Sequence, residues 1–285
     1  MITAAFLVAL TAFVPFEPQF VPPAVASGEE ASDEAVASDE AVALDEAQRL
    51  FYNGRYDAAD ALTLKFCTAD LEGLAGCEVR SSTLLFEIKR AVSGRGDVSK
   101  AFKACERCPD WLSAFKALTL SAQGIARARL KAVPSDDNTR FLLGKLDLNY
   151  VWLQLGVLGH KTGWAEYWEA RKSLDAVLKQ NPRNIRAQVA RAWIDYIVDT
   201  QMPRGTRWVL GGGDKKRGLA TVREAAAIDS DPFIRAEAGF ALWDMQQREA
   251  NIPAAVETAR MLARDFPENE ELRKFLAAHD SRATD

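Results

Sequence analysis

Residues 170–182 read ARKSLDAVLKQNP. Ala170, Leu174 and Val177 recur at helical spacing, and Asn181-Pro182 stops the run, because proline has no N–H to donate and cannot continue a helix. The same pattern stands at three more places. Ala122, Ala220 and Ala255 each lie twelve residues ahead of a proline, Pro134, Pro232 and Pro267. At offsets four and seven from these alanines come Ala126, then Ala227, then Ala259 with Leu262, interrupted only by Arg129 and Glu224. Between the proline-ended segments, residues 140–155, 185–199 and 233–247 carry apolar residues at helical spacing with no internal proline. No segment alternates as a strand. The chain is therefore read as all-α, with helices taken in pairs and each pair covering the apolar face of the next.

Working towards the N-terminus, FYNGRYDAADAL (51–62) offers a turn at Gly54 and a further helix start at Tyr56 and Ala59. Residues 67–111 fit the repeat poorly, although 78–92 and 98–104 are predicted helical. Residues 27–44 repeat Ser-Asp-Glu-Ala-Val-Ala and hold no aromatic residue, which predicts an unfolded acidic linker. Ahead of it, Ile2 to Val14 is apolar apart from two threonines, and Ala24-Val25-Ala26 supplies a small-x-small cleavage pattern. Residues 1–26 are read as a signal peptide, with no basic residue before the apolar run, too short to span a bilayer and leaving no stable membrane span once removed. No cysteine follows the apolar run, so a lipid anchor is not expected. The body is placed at 45–279, with a tail at 280–285, in the periplasm or outside the cell.

The chain carries a formal charge of -4, but residues 1–44 hold seven of the 40 acidic residues and none of the 36 basic ones. The body is thus near neutral, which argues against general nucleic-acid binding. Its four cysteines, Cys67, Cys77, Cys105 and Cys108, allow three pairings in an exported protein. Local pairing, Cys67 with Cys77 and Cys105 with Cys108, is favoured. The alternative is a thiol-disulfide or metal-dependent accessory protein centred on the same four residues, although the CxxC lacks a preceding strand and the pairs are not spaced as a zinc ribbon.

The proline spacings are 48, 50 and 35 residues, against about 34 for a plain two-helix repeat of this type. Two consecutive units therefore carry inserts, placed between first and second helix and expected on one edge, touching each other. The first, GVLGHKTGW (156–164), runs into Tyr167 and Trp168; the second is MPRGTRWVLGGGDKKR (202–217). Long loops with aromatics and cations suit an anionic or carboxylate-bearing ligand, or a peptide. His160, Lys161, Trp164, Tyr167, Arg204, Arg207 and Trp208 are the candidates there. A purely structural reading stands beside this one, in which the tryptophans plug the inserts onto the body and Lys215-Lys216-Arg217 is a solvated helix start. Gly211-Gly212-Gly213 matches no phosphate loop; it is read as a sharp turn before Asp214, whose carboxylate caps the next helix.

Lys145, Asn149, Trp152 and Asp195, with Trp193 and Tyr196, are candidates for a groove lined by the first helices. Trp152 follows Asn149 by three and shares its face, whereas Tyr196 beside Asp195 points elsewhere. Asp195 and Asp199 lie four apart, but the sequence supplies no partner site that would make them paired catalytic carboxylates. With only His160 and His279, a histidine-based metal site or triad is not expected, nor is any cofactor.

The proline-ended helices with small residues at their start resemble the second helix of the tetratricopeptide repeat (TPR), where small side chains let two helices approach closely. Residues 141–266 resemble exported bacterial TPR proteins. In one feature, Pro203 through Gly211-Gly212-Gly213-Asp214 to Ala227, they resemble the T component of tripartite ATP-independent periplasmic (TRAP) transporters. The resemblance implies a TPR-like helical-hairpin solenoid with two long inter-helix inserts and a ligand-accessible groove or pore. It also implies association with a solute-binding partner, and it carries over no catalytic residue. The expected function is a non-enzymatic periplasmic binding or scaffold protein engaging a protein partner or small solute through its concave face and insert edge.

Overall fold

The structure is a computed structural model and describes residues 28–65, 67, 71–94 and 96–279. The proposed signal peptide and the tail at 280–285 lie outside the described residues. The chain divides into two compact units, Met1–Val36 and Ala37–Asp285. Of the first, the described part is the opening of one helix; everything that follows concerns the second.

Among the described residues every regular element is a helix. In chain order they are α1 (Gly28–Tyr52), α2 (Tyr56–Thr63), α3 (Leu71–Val92), α4 (Val98–Ala104), α5 (Cys108–Ala132), α6 (Asp137–Val151), α7 (Trp164–Gln180), α8 (Ile185–Gln201), α9 (Lys215–Ala227), α10 (Pro232–Arg248), α11 (Ile252–Asp265) and α12 (Glu270–His279). The acidic stretch read as an unfolded linker is helical from Gly28. Its Ala and Glu content, which cannot supply a core, does supply helix propensity.

The helix starts are fixed by short polar side chains that accept from free backbone N–H groups. Asp136 accepts from Thr139 N at 2.9 Å, Asn184 from Ala187 N at 3.0 Å and Asp231 from Phe233 N at 2.8 Å. Asp214 accepts from Arg217 N at 2.9 Å, and Gly211 and Gly212 ahead of it have φ of 79° and 75°, so the glycine turn and its cap are as expected. Pro134, Pro182 and Pro267 lie in the turns that follow α5, α7 and α11. Pro232 does not: it is the first residue of α10, where its missing N–H goes unneeded. The expected register of α9 shifts with it. Gly218, Val222 and Ala225 are the buried positions, Ala220 is half-buried and Ala227 exposed.

Successive helices pack on one another, α5 on α6, α6 on α7, α7 on α8 and onwards to α12, while α3 also reaches α6 and α8 reaches α10. Ala122, Ala170, Ala255 and Ala259 are buried at these contacts, but Ala122 and Ala170 lie inside α5 and α7 rather than opening a helix. The core is a relay. One apolar cluster runs from Leu74 on α3 to Leu210, a second joins α8, α9 and α10 through Tyr196, Val222 and Leu242, and a third joins α10, α11 and α12 through Trp243, Leu262 and Leu272.

The end of α1 meets the last part of this relay. The Tyr52 ring, at the end of α1, stacks on Phe240 of α10 at 5.4 Å and tilts against Phe266 at 5.3 Å. Asn269 Nδ2 donates to Tyr52 O at 2.7 Å, and Glu268 N donates to Asn53 Oδ1 at 3.1 Å. The end of α1 thus closes over the surface formed by α3, α6, α8 and α10.

The sulfurs of Cys67 and Cys77, and those of Cys105 and Cys108, stand at disulfide distance, with Cα separations of 4.8 and 5.4 Å. This is the local pairing favoured on spacing. The first ties the segment after α2 to α3, and the second closes the turn that opens α5.

Candidate ligand-binding cavity

Beneath that closure lies a cavity of about 200 Å³. Its walls are aromatic. Phe51 of α1 meets Phe86 of α3 edge-on at 5.3 Å, Phe86 meets Trp152 at 5.4 Å, and Trp152 meets Trp193 of α8 at 6.0 Å. Tyr56 of α2 closes one side at 5.6 Å from Phe86; Tyr52, Phe240 and Trp243 close the other. Edge-to-face rings hold each other rigidly without filling the space between them.

Trp152 reaches this wall because α6 does not stop at Val151 but continues as a π-helical turn, Trp152–Val157. A Cβ on Gly156 would stand 2.7 Å from Trp152 Cδ1, so glycine there is what lets the indole lie along the turn. A wider helical turn at a functional position is a recurrent use of π-helix. Part of the first insert is therefore helix.

The floor is a closed ring of four charges, one from each of α3, α6, α8 and α10. Lys145 Nζ lies 2.5 Å from Glu237 and 3.7 Å from Glu78, and Arg186 lies 2.7 Å from Glu237 and 3.3 Å from Glu78. Each acid touches both bases and each base both acids. Burial works against the charge on Lys145, but Glu237 and Glu78 outweigh it and hold the ammonium above its ordinary pKa. Burial likewise opposes the charge on Glu237, and Lys145 and Arg186 hold its carboxyl below the usual range. Asn149 Nδ2 donates to Ser81 Oγ at 2.7 Å and Ser82 Oγ at 3.0 Å, sewing α6 to α3 beside the ring.

Comparison with protein-family models, curated proteins and solved structures finds no match to this chain. The site must be read from its own geometry.

Of the residues singled out in the sequence, Lys145, Asn149 and Trp152 line the cavity together, joined by Trp193. Asp195 does not. It is buried behind α8, where Arg191 and Arg217 hold it at 2.6 and 2.9 Å. Tyr196 also points away, its hydroxyl donating to Glu249 at 3.0 Å. The insert residues lie apart from the cavity lining. The Tyr167 hydroxyl donates to Leu210 O at 2.7 Å, and Arg171 donates to the same oxygen and to Gly211 O, so the second insert is strapped to α7, the helix that the first insert enters. Arg207 is paired with Asp199 and donates to Met202 O. His160 Nδ1 meets Gln154 Oε1 at 2.9 Å, while Lys161, Arg204, Trp164 and Trp208 are exposed, Trp208 at 77 %.

A second, open cleft of about 570 Å³ lies between α5, α6 and α7, with Arg127, Lys131, Arg140 and Lys172 around Trp168. Below it the Asp147 carboxyl is fully buried, accepts from Gln123 Nε2 at 2.7 Å, and is pushed up to about 9, first by burial and then by the charge of Glu169.

Sequence reasoning missed Tyr52, Tyr56, Phe86, Lys89, Glu78, Arg186, Glu237 and Trp243. One signal was available for three of them. Glu78, Arg186 and Glu237 are single charges inside helical stretches with no other charge one turn away towards the interior, and such a charge needs a partner of opposite sign. Among the described residues no cluster of three His, Cys, Asp or Glu side chains is arranged to hold a metal ion.

Proposed function

We propose that this chain is an exported, non-enzymatic binding protein of the TPR-like helical-hairpin type, which holds a small solute in the cavity beneath α1. One observation carries the reading: a cavity with aromatic walls and a pre-paired polar floor, assembled from helices far apart in the chain. A few fixed polar groups among apolar walls is the composition of a ligand site, and pairing the floor charges in advance keeps it rigid while empty.

The stacking of successive helix pairs, the buried alanines of the second helices and the turn prolines support the TPR-like arrangement. Export is supported by the N-terminal sequence pattern and by four cysteines placed in two pairs, since disulfides persist in oxidising compartments. The resemblance to the T component of TRAP transporters fits a periplasmic setting in which a partner exchanges solute with the cavity. In the alternative reading the CxxC is redox-active. What favours it is the placement of Cys105, half-buried, next to the fully buried Cys108 at the start of α5.

Native mass spectrometry of the protein purified from its own host tests the proposal. The wild type is expected to retain a small molecule that denaturation releases. Ala190→Phe, which fills the cavity from α8, should lose that molecule while keeping its helical circular dichroism. A wild type that carries nothing, or retention unchanged by Ala190→Phe, overturns it.

A further inference from the structure

The cavity's polar groups are not equally available to a ligand. Lys145 and Arg186 are each paired with two carboxylates, and the Asn149 Nδ2 donors with two serine hydroxyls. Asp244, at the wall, is paired with Arg248 at 2.6 Å. Lys89 is different. Its ammonium sits over the rings of Phe86 and Trp152, at 4.9 and 5.3 Å from their centroids, and among the described residues no carboxylate stands within ion-pair distance of it. A half-buried cation held only by ring faces has its hydration reduced and its charge uncompensated.

Two further groups in the wall can donate. The Trp243 indole Nε1 is buried with no acceptor. Tyr56, raised above its ordinary pKa by burial first and then by Glu271, keeps its hydroxyl proton at any physiological pH. Among the described residues the carboxylate that lines the cavity without a partner is Glu271, an exposed residue of α12, where water screens it.

Resting on the reading of this cavity as a solute site, we propose that its ligand is a small amphipathic anion. An apolar body lies against the rings, and a single anionic head is taken by Lys89. The body displaces water from the aromatic walls. The head supplies the counter-charge that the protein leaves out, in a charge-assisted hydrogen bond of the stronger kind. Aliphatic and aromatic carboxylates share this chemistry.

The test is titration calorimetry on the full chain, freed of any co-purified molecule by unfolding and refolding with its disulfides intact. Two bodies are each offered with three heads: octanoate, octanamide and octylammonium, and 3-phenylpropanoate, its amide and its amine. For at least one body the carboxylate is expected to bind about tenfold or more tighter than the amide. Which body shows the preference separates an aliphatic from an aromatic ligand. In Lys89→Met the preference should vanish while amide affinity stays, and Lys89→Arg should restore it. Equal binding of all heads, preference for the amine, or preference that survives Lys89→Met overturns the anion while leaving the cavity a solute site. If none of the six binds the wild type, the cavity reading falls and the inference falls with it.

Discussion

Lys145 Nζ lies 2.5 Å from Glu237 Oε1, a contact across 92 residues that pins α6 to α10. Arg186 shares the same carboxylate from α8. Glu237→Ala leaves two half-buried cations facing each other with one acid between them, and the expected loss is about 3 kcal/mol of stability in urea titrations. Glu237→Gln, which keeps the shape and one acceptor, should lose less. The pH response follows from the same contact. The Glu237 carboxyl titrates below its ordinary 4.5, so its contribution is complete above that value and is lost as the pH falls below it. The wild-type denaturation midpoint should therefore drop on acidification more than that of Glu237→Gln; equal slopes would show that the ring of charges adds nothing.

Asp147 has the opposite sign. Its carboxyl is raised from 3.8 to about 9, so the folded chain holds a proton through that window which the unfolded chain releases. Stability then declines as the pH rises across it. Asp147→Asn removes the titration and keeps an acceptor for Gln123. It should match the wild type near pH 4 and exceed it near pH 8 by on the order of 2 kcal/mol, as read from thermal melts at the two pH values. A variant weaker at both would show that Arg127, 3.9 Å away, holds Asp147 ionised.

These two acids show what the sequence conveys and what it does not. The helices are legible because their signals are local: a small residue, apolar residues four and seven further on, and a proline in the turn. Where locality fails, so does the reading. Pro232 looks like the other three but opens α10, and the α9 register moves with it. The cavity is half legible in the same way. Asn149 and Trp152 share a face through their spacing on one helix, with Lys145 one turn before, and the structure puts all three in the wall. Tyr52 and Phe240 carry no mark of belonging together, because their contact depends on the summed geometry of every pair between them. The polar inserts attract attention through composition, yet three of their cations, Arg207, Lys215 and Arg217, are spent on the carboxylates of Asp199, Glu249 and Asp195.

The two sulfur pairs should differ in weight. A cross-link stabilises chiefly by restricting the unfolded chain, more so for a longer loop. Cys67 and Cys77 are ten residues apart and Cys105 and Cys108 three. Replacing the first pair by serine is expected to lower stability by about 3 kcal/mol and the second by about 2 kcal/mol, measured in urea without reductant. Ligand retention at a temperature where both variants remain folded should be unchanged. Loss of retention in Cys105→Ser/Cys108→Ser alone would favour the redox-active reading.

The second insert separates structural from functional aromatics. Tyr167→Phe removes a buried hydroxyl that donates to Leu210 O, leaving that carbonyl to Arg171 at 3.2 Å, and should lower stability by about 1 kcal/mol. Amide exchange over residues 202–214 should speed up with it. Trp208 lies 77 % exposed on the same insert, so Trp208→Ala should change stability by no more than about 0.5 kcal/mol. If the insert edge engages a partner, this variant should lose capture of that partner while its helical circular dichroism and its cavity affinity for the solute stay as in the wild type. A large fall in stability on Trp208→Ala would instead make the tryptophan a staple of the fold.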